Sequence, residues 1–244
     1  QVISVMTLSI DTMDTIIYGD SFSSLDIVRD MTGRQLDRTH MWYHGFCIGD
    51  LIDRTMPKKT PGTMFLQATH DALTRKTSTR LIVALGVCER LPGYTDGWYD
   101  EEVINEANNM EDCEPYFAET EVNRSNMSQL HPTLMWTQIY KEIVQLSLLC
   151  DTHRHQLMIT HMNTDGVGQW INKKHPLIRP LCELAESLPC YFNEQHSCRT
   201  VCQNAGVKPL DYAQYGWEGH HGPEGQKVFA EHMATLAKEA RPWN

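Results

Sequence analysis

The chain has no long apolar run. Its longest clean stretch, Leu81 to Cys88, is eight residues including a glycine, far short of the ~20 that a membrane-spanning helix needs. No basic segment leading into an apolar core opens it, so no secretory signal is read, and the start at Gln1 is expected to reflect trimming. Basic residues are missing from Leu91 to Glu121, a segment holding ten acidic ones. Lys and Arg total 21, Asp and Glu 31, and the net charge is −10, so this one segment carries the whole excess. A duplex-binding surface needs clustered Lys and Arg to displace counterions; nucleic acid is therefore not expected as a partner, and neither is a membrane. The eight cysteines include no Cys-x-x-Cys pair. Cys182, Cys190, His196, Cys198 and Cys202 crowd together without the tight paired spacing of structural zinc, and they read as buried thiols or one local disulfide. The sequence has no Gly-x-Ser-x-Gly elbow, which argues against the α/β-hydrolase fold proper. Gly166-Val167-Gly168 lacks the third glycine of a dinucleotide loop.

What is there is globular. Hydrophobic residues make up 41% of the 244 and charged ones 21%, too apolar for a disordered tail and too polar for a membrane protein. The length suits one domain. Thr15 to Tyr18 is a short β-branched run ending at Gly19-Asp20, and from Phe22 the spacing turns helical through Leu25, Val28 and Met31 until Gly33. Met41 to Phe46 reads as a second strand ending near Gly49. Phe65, Leu66, Thr69 and Leu73 suit a helix, and Leu81 to Leu85 a buried strand stopped by Gly86. Leu134 to Leu149 reads as a helix, Gln156 to Thr160 as a strand, the stretch opened by Pro180 as a helix, and Cys190 to Phe192 as a fifth strand. Gly222-Pro223 starts a final helix with Phe229, Met233, Leu236 and Ala240 on one stripe, stopped by Pro242. Strand–helix alternation over the whole length predicts a parallel sheet covered on both faces.

One stretch breaks the alternation. Residues 87–128 show no clear element and carry Tyr94, Trp98, Tyr99, Tyr116 and Phe117 beside the acidic excess. Loops that long inside a compact domain are usually functional or disordered. A substrate-facing lid at the active-site mouth and an acidic solubilising loop both fit.

Two motifs can carry chemistry. Tyr18-Gly19-Asp20-Ser21 sits at the carboxyl end of the first strand and just before a helix, where ligands of open α/β sheets gather and helical N–H groups favour a developing anion. Ser21 as a simple helix cap is the alternative. Trp217-Glu218-Gly219-His220-His221-Gly222-Pro223-Glu224-Gly225 puts two histidines directly before the last helix. A histidine in a loop beside a strand-end serine can act as its general base; an exposed pair without a role, or a metal site lacking an evident third ligand, are the other readings. His153, His155 and His161 lack a metal-ligand rhythm.

Gly19-Asp20-Ser21-Phe22 near the start, with His220-His221-Gly222-Pro223-Glu224-Gly225 near the end, resembles the SGNH (GDSL-type) hydrolases. The run from the histidines through Gly-Pro into Phe229-Ala230-Glu231 looks most like versions carried by bacteriophages of cyanobacteria. The resemblance implies a single flavodoxin-like three-layer α/β/α domain over residues 1–244, with a mainly parallel sheet of about five strands and residues 87–128 as an insertion. It implies Ser21 as nucleophile and His220 as base, five residues before the glycine matched by Gly225. The acid of the family lies three residues before its histidine; that position is Trp217 for His220, whereas Glu218 is three before His221. Either Glu218 serves His220 at shorter spacing, or His221 is the base.

For the oxyanion hole the family uses the serine N–H, a glycine after strand two and an asparagine after strand three. Phe46-Cys47-Ile48-Gly49 is similar to the second block and points to Gly49. At the third block Gly86-Val87-Cys88-Glu89 has Cys88 where an amide is usual, and a thiol is a weak donor. Asn163, after the strand ending at Thr160, can supply an amide instead or simply form a turn. The activity implied is hydrolysis of acyl esters, including O-acetyl groups on a surface glycan, with no cofactor and no metal. The alternative is a catalytically impaired structural or binding protein of a phage virion, contacting other virion proteins. The localisation implied is the virion or the cytoplasm of the infected cell.

Overall fold

Four strands pair in the order β2-β1-β3-β4, every pair parallel: β1 (Thr15–Gly19), β2 (Leu51–Asp53), β3 (Arg80–Leu85) and β4 (Gln156–His161). The computed structural model describes residues 13–20, 23, 51–55, 61–86, 132–162, 175–209 and 220–239. Strands β1, β3 and β4 are buried at every position, which is why their central residues are apolar in succession rather than alternating with polar ones. Register is tight, with Ile16 opposite Leu81 and Leu81 opposite Leu157.

Alternate residues of these strands feed two separate cores. Ile16, Tyr18, Leu81, Val83, Leu85, Leu157 and Ile159 pack with α1 (Pro61–Thr74), α2 (Pro132–His153) and α3 (Arg179–Ser187). Ile17, Ile82, Ala84 and Met158 face the other way, onto α4 (Cys198–Asn204) and α5 (Pro223–Glu239). Phe229, Ala230, Met233, Ala234 and Ala237 form the buried stripe of α5. Its alanines let the helix lie close on the sheet. Helices therefore cover both faces, as the alternation predicted.

Helix ends follow local chemistry. Pro61 opens α1 and Pro223 opens α5, positions where the missing N–H has no intrahelical acceptor to lose. α2 closes with Arg154 N–H donating to Asp151 O at 3.2 Å and His155 N–H to Cys150 O at 2.9 Å. This paired closure requires a left-handed residue, and Arg154 takes it at φ 61°. α4 closes the same way around Gly206, at φ 75°. Beyond α2, His155 is fully buried: its Nδ1 accepts from Thr79 N–H at 3.2 Å and its Nε2 lies 3.1 Å from Ala72 O. The ring is thus neutral with its proton on Nε2, and burial holds its pKa down. At the amino edge of the sheet, Arg80 donates to Gln156 Oε1 at 2.6 Å, and Gln156 donates to Ala237 O at 3.0 Å.

The expected helix around Phe65 to Leu73 forms as α1, with Met64, Phe65, Ala68 and Ala72 as its buried stripe and Leu66 and Leu73 more than half exposed. Two expectations need correction. The sheet has four strands among the described residues, not about five. Tyr191 makes only a single parallel bridge to Ile159, because the chain turns away at Asn193, whose side chain accepts from Gln195 N–H to cap a short 3-10 turn (Glu194–His196). No local disulfide forms among the described cysteines: Cys150, Cys182, Cys190, Cys198 and Cys202 are buried free thiols. The expected helix from Phe22, the expected strand from Met41 to Phe46 and the 87–128 insertion lie outside the described residues.

Candidate functional site at the carboxyl edge of the sheet

The order β2-β1-β3-β4 reverses between β1 and β3, since the chain leaves β1 toward β2 on one side and reaches β3 on the other. The crevice outside the carboxyl ends of two such strands is where open α/β sheets bind ligands. Here β1 runs into Gly19-Asp20 and β3 into Gly86. Asp20 is fully buried, and its carboxylate fills the space in which a β-carbon on Gly86 would stand. Below it, Ser23 N–H and Oγ–H both donate to Asp20 O at 3.0 Å, closing a tight turn. Ser23 Oγ in turn occupies the β-carbon position of Gly19, with Thr55 Cγ2 at 3.2 Å from it. Neither glycine can be replaced without moving this turn.

The direction of α5 decides where the histidines fall. Its carboxyl end is tied to the amino end of β4 through the Gln156–Ala237 hydrogen bond, and its apolar stripe lies along β1, β3 and β4. From Pro223 to Ala237 the helix covers about 21 Å at ~1.5 Å per residue, more than the ~17 Å of a six-residue strand. Its amino end, with His220 and His221 immediately before it, therefore lies at the carboxyl edge, on the same side of the sheet as Asp20 and Gly86. Both histidines are buried, at 7% and 5% exposure. The 3-10 turn reaches that edge too, Thr160 Oγ1 at the end of β4 donating to His196 O at 3.4 Å.

His221 does not sit alone. Cys198 and Cys202, one turn apart on α4, point their sulfurs at each other across 3.9 Å, and a nitrogen of His221 lies within 4.8 Å of both. Ser197 positions this helix by accepting from Thr200 N–H at 3.1 Å. Cys202 Sγ lies 3.3 Å from Gly225 O. The Cys198 thiol, together with the neighbouring His221 ring, holds Cys202 below the usual thiol range, whereas burial pushes Cys198 up.

Of the seven residues singled out in the sequence, the structure describes two, His220 and His221, and brings both to the carboxyl edge. Ser21, Glu218, Cys88 and Asn163 lie outside the described residues. So does Gly49, which precedes β2 in the chain; the residues at the carboxyl end of β2 are Arg54 and Thr55. Sequence reasoning missed Asp20, Ser23 and the pairing of Cys198 and Cys202 with His221. The i, i+4 spacing of the two cysteines was a usable signal once α4 was recognised as a helix.

The sequence matches no protein-family model and no curated protein. Among solved structures, the crystal structure of a member of the lipolytic protein G-D-S-L family from Veillonella parvula DSM 2008 aligns with a TM-score of 0.34 and 14% identity, covering 90% of this chain and 95% of that one. A superposition that loose carries no weight for the chemistry.

Proposed function

We propose that the chain is a serine ester hydrolase of the SGNH type, built on a flavodoxin-like three-layer domain. One observation carries the reading: Gly19-Asp20, which lead into Ser21, and His220-His221, far apart in sequence, lie at the same carboxyl edge of the sheet. The strand order, extended by the Tyr191 bridge on the outer side of β4, supports the flavodoxin-like description. Ser21 Oγ attacks the ester carbonyl and passes its proton to His220, with Glu218 orienting the ring. The N–H group of Ser21 receives the oxyanion, and Asn163 supplies the amide that Cys88 cannot. The alcohol leaves with the proton from His220, and water then releases the acyl group by the reverse sequence. An O-acetylated glycan as substrate, and association with a phage virion, rest on the sequence resemblance alone.

Hydrolysis of a short-chain aryl ester by the purified chain tests this. Ser21→Ala should lower turnover at least about 1000-fold, the scale seen when a catalytic nucleophile is removed. Equal rates in the two proteins would remove the nucleophile. Cys88 in the third block favours the second reading, a scaffold that keeps the fold without the chemistry, and a wild type with no activity above background on any acyl ester would select it.

A further inference from the structure

We propose that Cys198, Cys202 and His221 form a binding site for a soft divalent cation of the zinc type, independent of the ester chemistry. The argument begins with an orphan. His221 is 95% buried, at 5% exposure, yet neither of its ring nitrogens makes a hydrogen bond of ordinary geometry. Buried polar atoms are almost always satisfied, and an exception needs a reason such as an ion. Two thiols lie beside that ring, with all three donor atoms within 4.8 Å of one another. Two thiolates and an imidazole form a soft donor set suited to zinc.

The spacing fits as well. Two Zn–S bonds of ~2.3 Å at the tetrahedral angle place the sulfurs about 3.8 Å apart; Cys198 and Cys202 stand 3.9 Å apart. Gly225 keeps the set together, because a β-carbon there would come within 2.8 Å of His221 Cβ and 3.2 Å of Cys202 Sγ. Three protein ligands with a fourth position left for an oxygen donor is a known zinc arrangement. On binding, each cysteine releases its thiol proton and the cation takes the two sulfur lone pairs and one imidazole lone pair, with no change in oxidation state. The consequence is mechanical. α4 becomes tied to the segment before α5, one residue from His220, and that link fixes the amino end of the last helix on the sheet.

Zinc and cobalt titrations of the full chain, purified under reducing conditions and stripped with a chelator, test the proposal. Co2+ should bind in a ratio of one per chain and give sulfur-to-cobalt charge-transfer bands together with the intense visible bands of a tetrahedral ion, and Zn2+ should displace it. Alkylation followed by peptide mapping should show Cys198 and Cys202, and not Cys150, Cys182 or Cys190, protected by Zn2+ and unprotected by Mg2+. His221→Ala should weaken Zn2+ binding by more than the roughly 10- to 100-fold typical of losing an outer-shell partner. Gly225→Ala should weaken it too, by pushing the ring from the sulfurs. Absence of cobalt bands in the folded wild type, or protection falling on other cysteines, overturns the site. Both readouts use the wild type, so they stand even where a variant fails to fold, and neither depends on esterase activity.

Discussion

The carboxylate of Asp20 stands over Gly86, in the volume that any larger side chain at that position would need. β1 and β3 are neighbours in parallel register, with Gly19 opposite Ala84, so the two residues that follow the strands meet at the switch point. A buried carboxylate next to bare backbone is a demanding arrangement, and it fixes how the chain leaves β1 at Gly19-Asp20.

Gly86→Ala should therefore destabilise the protein by ~1–3 kcal/mol, the range for forcing an extra methyl group into a packed site. Chemical denaturation measures it. A stability within error of wild type would mean that Asp20 does not occupy that space in solution.

Arg154 offers the opposite case. As a non-glycine residue in the left-handed region it carries strain on the order of 1 kcal/mol, and among the described residues no side-chain role compensates it. Arg154→Gly keeps the closure of α2 and should raise Tm by about 2–4 °C for a chain of this size. An unchanged or lower Tm would show that the arginine side chain, or glycine's greater unfolded-state entropy, outweighs the strain.

Much of this framework was legible in the sequence, and the reasons are local. β3 carries the apolar run Leu81 to Leu85 and β4 the β-favouring core Leu157-Met158-Ile159, and α2 and α5 are long enough for their periodicity to dominate. β2 was not legible, since Leu-Ile-Asp is three residues with no flanking signal. The helix α1 was legible but its buried face was not, because Leu66 and Leu73 outweigh Ala68 and Ala72 in hydrophobicity, although the alanines are among the residues that are buried. In the site, the Gly-Asp-Ser and His-His motifs could be read from residue type and order. The partnership of His221 with Cys198 and Cys202 could not, because it depends on α4 folding back beside the start of α5.

Tyr18, Asp71 and Arg54 join β1, α1 and the end of β2. Tyr18 Oη–H donates to Asp71 Oδ2 at 2.6 Å, and Arg54 Nε–H to the same oxygen at 3.2 Å. Burial and the neighbouring carboxylate push the phenol pKa far up, so it remains a donor. Tyr18→Phe should cost about 1 kcal/mol, the net worth of one hydrogen bond. Asp71→Ala should cost more, about 1–3 kcal/mol, because it leaves a buried hydroxyl without its acceptor. Equal losses in the two variants would contradict that asymmetry.

His155 makes stability depend on pH. Burial lowers its folded pKa below the unfolded value of ~6.5, so between those two values the unfolded chain binds a proton that the folded chain refuses. Stability should fall as pH drops below ~6.5, by up to about 1.4 kcal/mol per pH unit from this residue, until the folded form is protonated as well. His155→Gln removes the titration. Its stability should vary less steeply with pH across that window than the wild type's, and parallel profiles would mean that the ring is solvated.

The adjacent histidines should separate cleanly. His220, as the proposed base, must be neutral to accept the proton from Ser21, so ester turnover should rise with pH through the imidazole range and His220→Ala should lose most of it. One ring nitrogen of His221 lies within 4.8 Å of the sulfurs of Cys198 and Cys202. His221→Ala should retain the shape of the pH profile, its loss showing in thermal stability and in Zn2+ binding. Rates on an aryl ester, taken for both variants across the same pH series, decide the matter. If His221→Ala flattens the profile and His220→Ala leaves it intact, the base is His221. The acid three residues before it is then Glu218, and the thiols would share their histidine with the reaction.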